Sequence, residues 1–202
     1  LQLMYGTRNQ AKLHAMNAVL SSLGIEMLSL NDTNLQMSPV IESGNNPLEN
    51  ARVKALAYYA AWKKPIFSCD SGLYIDGLAP SDQPGVHVRR VHGKELTDEE
   101  MIQYYSGLAR HAGGEVRARY RNAICLVMDD GTMFDYDGDE IASEEFILTS
   151  KPHQKRNQGF PLDSLSKHLQ TGKYYMDLTY DIANEDHIFM GFKNFFQKSL
   201  GL

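Results

Sequence analysis

Cysteine is scarce in this chain: Cys69 and Cys125 stand far apart among 202 residues, outside any CxxC spacing. Two distant cysteines exclude a disulfide scaffold and point to a reducing compartment, so the cytoplasm is the expected location. No apolar run approaches the ~20 residues of a membrane helix, and no charged-then-apolar leader suggests export, so no membrane contact is expected. An excess of positive charge is missing too: 20 Lys and Arg against 25 Asp and Glu leave a formal net charge of −5. A protein that coats nucleic acid presents a basic face, which excludes that class of partner. A nucleotide needs only a few local cations. The scattered histidines, His87, His92 and His111 among them, show no metal-ligand spacing, and repeats and low-complexity segments are absent.

What is present suits a folded α/β protein. Hydrophobic residues make up 43%, and a domain of this size buries roughly 70% of its unfolded surface. Leu3-Met4-Tyr5 reads as a buried strand ended by Gly6. Apolar residues at Leu13, Met16, Leu20 and Leu23 mark a helix from Asn9 that Gly24 terminates, and Ile25 to Leu30 follows as a strand. Pro47 suits the first turn of a helix through Leu48, Ala51, Ala55, Leu56 and Tyr59. Pro65 to Cys69 reads as a fully buried strand stopped by Asp70-Ser71-Gly72. Thr97 and Glu100 form a capping box that opens a helix carrying Met101, Tyr104, Tyr105 and Leu108. Strands then run through Ala123–Met128, Phe134 and Ile147, with a turn at Asp129-Asp130-Gly131, and a last helix spans about Asp186 to Lys198. The expected fold is α/β with a mixed sheet, in two lobes.

Four clusters can carry chemistry. Gly6 to Lys12 is a strand-to-helix turn whose backbone amides, hydroxyl, amide and lysine make an anion site, or simply a capped helix with a surface lysine. It lacks the GxxxxGK[ST] spacing of a P-loop. Asn50 and Lys54, four apart, share a helix face and can hold phosphate oxygens, while Glu42 on the preceding loop is free to meet a cation. The bland reading there is a solvated helix start. Asp70, at the expected carboxyl end of a buried strand, sits where open α/β sheets place ligands, with Gly72 turning the chain away. A stretch from Pro84 to Arg90 follows at loop distance. In Lys155 to Asp163, Phe160 can stack a base and Asp163 can bond it, or both belong to local packing. The acids from Asp135 to Glu140 fail the EF-hand spacing: counted from Asp135, the sixth and twelfth positions are Glu140 and Phe146 rather than Gly and Glu. They read as a solvated strand edge.

Taken in order, these segments resemble the ITPase-like family of noncanonical purine nucleoside triphosphate diphosphatases. The likeness rests on Thr7-Arg8-Asn9-Gln10-Ala11-Lys12 (TxNxxK), Glu49-Asn50-Ala51 through Lys54-Ala55 (ENAxxKA), Asp70-Ser71-Gly72-Leu73 (DSGL) and Pro84-Gly85-Val86 with Arg90 (PGxxxxR). The resemblance implies an elongated mixed sheet with two α/β lobes flanking a cleft, one domain over residues 1–202, and a homodimer. It implies Mg²⁺ held by Glu42 and Asp70, with Asp70 as proton acceptor. Thr7, Asn9, Lys12 and Lys54 would hold the triphosphate, with Arg90 adding a cation. Ser71 would touch the substrate, while Phe160 and Asp163 would lie at base and sugar. Hydrolysis of a nucleoside triphosphate to monophosphate and diphosphate is the implied activity.

Three departures qualify the likeness. Cys69 stands where the family commonly has a second Asp, removing one negative charge. Gly159-Phe160-Pro161-Leu162-Asp163-Ser164 replaces the family's GFGYDP and loses its second Gly. Near the C-terminus, Ala183-Asn184-Glu185-Asp186-His187 stands in place of the Lys and Ser-His-Arg that read the 6-keto face of a purine. The alternatives are the same chemistry on another base, or a nucleotide-binding homologue without catalysis.

Overall fold

The computed structural model describes residues 1–33, 40–178 and 185–202. In chain order its elements are β1 (Gln2–Tyr5), α1 (Gln10–Ser21), β2 (Glu26–Ser29), α2 (Pro47–Trp62), β3 (Ile66–Ile75), β4 (Arg90–Val91), β5 (Lys94–Glu95), α3 (Asp98–His111), β6 (Glu115–Val127), β7 (Met133–Tyr136), β8 (Phe146–Thr149), β9 (Ser166–His168) and α4 (Glu185–Leu200). Hydrogen-bonded strand neighbours run β2-β1-β3-β6-β8-β9, with β7 also on β6. β1 is parallel to β2 and β3, whereas β6 is antiparallel to β7 and β8. The sheet is mixed, as the sequence predicts. Among the described residues, no helix is long and apolar enough to cross a membrane.

The chain forms two compact units. One comprises Leu1–Ser71, Arg121–Ala142 and Glu185–Leu202; the other comprises Gly72–Tyr120 and Ser143–Asn184. In the first unit, strand alternation sorts the side chains onto two sheet faces. Leu3, Tyr5, Phe67, Ile124 and Leu126 pack with Leu13, Met16 and Leu20 of α1 and with Phe192, Phe195 and Phe196 of α4. Met4, Ile66, Ala123, Cys125 and Val127, on the intervening positions, pack with Ala51 and Ala55 of α2. Tyr5 stacks on Phe67 with centroids 4.5 Å apart, and Phe196 meets Phe67 edge-on at 5.2 Å. Each such fully buried side chain contributes about 1.5–3 kcal/mol of transfer free energy. The second unit has its own core: Leu73 and Ile75 of β3, Met101, Ile102, Tyr105 and Ala109 of α3, and Phe146 and Leu148 of β8.

Several expectations hold at the level of single residues. Gly24 ends the turn after α1 with φ +68°. α2 starts at Pro47, and the side chain of Asn46 caps it by accepting from the Glu49 N–H. Others need correction. β3 does not stop at Asp70 but runs on to Ile75. Asp, Ser and Gly are turn residues by composition, yet here the strand continues because β6 is its hydrogen-bonded neighbour in the sheet, and Leu73 also pairs with Gly85 through two hydrogen bonds of 2.9 Å. Gly72 does not turn the chain. It leaves room for that pairing, since a Cβ there would stand 3.1 Å from the Gly85 carbonyl. Leu56 and Tyr104, named among the apolar residues of these two helices, are 48% and 38% exposed. β4 and β5 form an unforeseen hairpin turned by His92 and Gly93, both at positive φ.

The capping box of α3 is present in both directions: Thr97 Oγ1 accepts from Glu100 N, and Glu100 Oε2 accepts from Thr97 N. Thr97→Ala is expected to cost about 1 kcal/mol. That corresponds to a Tm about 2–4 °C lower for a protein of this size, measured by thermal unfolding. An unchanged Tm would show that the cap is not holding α3.

A candidate active site around Asp70

Alternation along β3 decides what Asp70 faces. Ile66 packs toward α2 and Phe67 toward α1 and α4, so Ser68 and Asp70 continue the α2 face while Cys69 and Ser71 continue the other. Asp70 is only 7% exposed. A buried carboxylate needs compensating partners, and α2 supplies them. The methyl side chains of Ala51 and Ala55, both fully buried, let the helix lie close to the sheet. Asn50 and Lys54, four residues apart on the same face, then reach the carboxylate. Lys54 Nζ lies 2.7 Å from Asp70 Oδ1 and 3.1 Å from Glu42 Oε1. Asn50 Nδ2 donates to Asp70 Oδ2 at 3.1 Å.

Glu42, Lys54 and Asp70 are therefore brought together, and the ammonium is shared by two carboxylates. Burial works against the Lys54 charge, but Asp70 and then Glu42 outweigh it and raise its pKa above the ordinary lysine value. The loop before α2 is tied to the helix start: Gly44 N donates to Asn50 Oδ1 at 2.8 Å and Asn45 N to Glu49 Oε2 at 2.7 Å. Asn50 thus departs from expectation. Its amide is committed to Asp70 and to Gly44, not offered to phosphate.

The Gly6–Lys12 turn forms the start of α1. Asn9 Oδ1 accepts from Lys12 N at 3.1 Å and Thr7 Oγ1 accepts from Asn9 N at 3.3 Å, so Thr7 and Asn9 order the first helical turn. The Lys12 ammonium acts electrostatically on Cys69, as does Lys54. Burial pushes the Cys69 thiol up to about 11, against the opposing pull of a hydrogen bond with Tyr5 and of the two ammonium groups. At neutral pH this position is uncharged. Ser71 is not turned loose on the surface: its hydroxyl donates to Asn122 Oδ1 at 2.7 Å, and Asn122 Nδ2 donates to the Ile141 carbonyl. Neither Tyr5 nor Asn122 stands out in the sequence, because nothing in the local pattern says which strand residues become neighbours.

Arg90, Phe160 and Asp163 belong to the second unit. Arg90 is exposed on β4. Phe160 is 41% exposed and precedes a 3-10 turn, Pro161–Leu165, that the proline in place of glycine starts. Burial raises the Asp163 pKa, opposed by a hydrogen bond from Asn157 Nδ2 at 2.8 Å. Gly159, at φ +83°, donates its N–H to Asp98 Oδ2. Ala183 and Asn184, in the divergent C-terminal segment, lie outside the described residues; His187 Nε2 is 3.3 Å from the Asp139 carbonyl. Asp135 lies on β7 and pairs with Arg52, and Glu140 bonds with Tyr136. Among the described residues, no group of three or more His, Cys, Asp or Glu side chains is placed to hold a metal.

The fold and this cluster define a class: a mixed-sheet α/β protein with two carboxylates and a lysine gathered where a sheet strand meets a helix start. Residues 3–161 match the model of the Ham1 family. A dITP/XTP pyrophosphatase of Leptospira interrogans is 31% identical over 147 residues, covering 72% of this chain and 72% of that protein. One from Thermus thermophilus is 31% identical over 179 residues, covering 88% of this chain and 81% of that protein. Among solved structures, a Ham1 protein from Coxiella burnetii superposes with a TM-score of 0.77 at 22% identity, covering 98% of this chain and 99% of that one, which speaks to the fold. This chain belongs to the Ham1 family, the ITPase-like family that its motifs resemble.

Lys54 and Asp70 side chains are only 11% and 10% exposed, so Lys54→Met leaves a buried carboxylate without its cation. The expected cost is about 3 kcal/mol, a Tm fall of about 10 °C at pH 7. Because the folded pKa of Lys54 is raised, its contribution is full below the unfolded lysine value and is lost as pH climbs through the folded one. Thermal unfolding should therefore show the gap between wild type and variant closing only above about pH 10. A variant as stable as wild type at pH 7 would mean that charge pairing does not hold Asp70.

Proposed function

We propose that this protein is a nucleoside triphosphate diphosphatase that hydrolyses noncanonical purine nucleotides of the ITP, dITP and XTP type to the monophosphate and diphosphate, with Mg²⁺. The observation that carries this reading is the convergence of Glu42 and Asp70 on the Lys54 ammonium, within 3.1 Å. Its support in sequence is the 31% identity to dITP/XTP pyrophosphatases over most of the chain.

The donor set fits a hard divalent cation. Mg²⁺ takes oxygen ligands and commonly rests on one or two carboxylates together with substrate phosphates. Among the described residues, each Asp70 oxygen accepts from one side chain, Lys54 or Asn50, and a carboxylate oxygen accepts twice. Glu42 and Asp70 would hold the ion, which when bound neutralises charge on the phosphate chain.

The protein's own groups supply the rest. Asp70, paired with the Lys54 ammonium, accepts the proton of the water that attacks the α-phosphorus. Lys54 and Lys12 stabilise charge on the departing diphosphate, and the backbone amides of the first α1 turn, ordered by Thr7 and Asn9, face the phosphates with the positive end of the helix dipole. Ser71 touches the substrate once its hydroxyl exchanges partners with Asn122. Arg90, Phe160 and Asp163 meet the phosphate chain, base and sugar. The protein works as a homodimer in the reducing cytoplasm, where its unpaired thiols Cys69 and Cys125 persist.

Asp70→Asn is expected to lower kcat by a factor of about 10²–10⁴ while the protein stays folded, read as diphosphate release with millimolar Mg²⁺. The assay should run across ITP, XTP, their deoxy forms, the standard nucleotides and pyrimidine analogues. Near-normal turnover by the variant would remove Asp70 from the chemistry, and a preference for pyrimidines would move the specificity to another base. Lys12→Ala should raise KM or lower kcat through a lost phosphate contact. An unaltered rate at low substrate would exclude Lys12 from the site.

A further inference from the structure

Asn50 is 1% exposed, uncharged and hydrogen-bonded at both ends of its amide. Its nitrogen donates to Asp70 Oδ2 at 3.1 Å, and its oxygen accepts from the Gly44 N–H at 2.8 Å. The orientation is dictated: reversed, the amide would set oxygen against carboxylate and N–H against N–H. One side chain therefore joins β3 to the loop that carries Glu42, two residues before Gly44. That junction is tight. A Cβ on Gly44 would fall 2.7 Å from Asn50 Oδ1, 2.9 Å from Asn50 N and 2.6 Å from Glu49 Cβ. Glu42 itself is 46% exposed in its side chain, so burial does not place it. Its place comes from the Lys54 ion pair and from the anchoring of its loop on the first turn of α2.

We propose that Asn50 is a positioning residue: a buried amide strut that sets Glu42 and Asp70 in register and so determines how tightly the pair holds a divalent cation. The proposal rests on the hydrolase reading for the identity of that cation's site. Lys54 cannot replace the strut. Its ammonium is a point charge on a flexible stem and imposes no direction, whereas the planar amide has one fixed pair of partners. Groups that orient metal-binding carboxylates in this way typically change metal affinity or activity by about 10–100-fold when removed.

The test compares wild type with Asn50→Ala, Asn50→Ser and Gly44→Ala. Asn50→Ala leaves the Gly44 N–H buried without a partner and can destabilise the chain. Asn50→Ser keeps a hydroxyl there, and Gly44→Ala breaks the strut from the loop side. Two quantities are read: Mg²⁺ and Mn²⁺ binding by calorimetry, with and without nucleotide, and the metal concentration at half-maximal diphosphate release. In folded variants the metal Kd and the half-maximal metal concentration are both expected to rise about 10–100-fold, with the substrate KM at saturating metal changed less than about threefold. The Asn50→Ala/Gly44→Ala double variant should be no worse than the worse single one. A purely structural role would reduce the active fraction and lower kcat but leave the metal midpoint unmoved, and that result overturns the proposal. A wild type that binds neither ion overturns it too. A wild type that binds metal yet hydrolyses no triphosphate defeats the hydrolase reading instead, and the calorimetric comparison still decides the role of Asn50.

Discussion

One ammonium group held between two carboxylates is the constraint from which the rest of the site follows. Lys54 can reach Asp70 and Glu42 together only if α2 lies close against the sheet and the loop before it folds back over its first turn. Fully buried alanines at 51 and 55 meet the first condition. Asn46, Glu49 and Gly44 meet the second. Without the cation, Asp70 would be an anion out of water with one amide for company, a state that costs several kcal/mol.

The two faces of β3 do different work. On the α2 face, Asp70 carries the charge and is held by partners from one helix. On the opposite face, Cys69 bonds with Tyr5 and lies in the field of Lys12, and burial keeps its thiol protonated at neutral pH. Adjacent residues thus present an anion to one side and a neutral group to the other. The local balance of Glu42, Asp70 and Lys54 is one excess negative charge, which suits a cation arriving with a polyphosphate better than a bare anion.

Much of the fold was legible because it follows from local pattern. The apolar positions of α1, the span of α4, the Pro47 start of α2 and the Thr97–Glu100 box were read as the structure has them. The reading of Asp70-Ser71-Gly72 as a strand end was wrong for a tertiary reason. Pairing with β6 in the sheet, and of Leu73 with Gly85, sustains the strand through residues that alone favour a turn. Leu56 fits the helical stripe of α2 yet faces outward, since periodicity fixes a face to within a residue but not which edge of it the sheet covers.

The same division applies to the site. Residue type and spacing alone determined that Asn50 and Lys54 share a helix face, that Glu42 lies on a loop before it, and that the chain carries the motifs of the Ham1 family. Which group faces which was settled only by tertiary structure: Asn50 turned to Asp70 and Gly44, Ser71 to Asn122, and Cys69 to Tyr5. Periodicity along one segment specifies a direction. The partner that waits in that direction comes from another part of the chain, and its placement depends on packing that no single segment encodes.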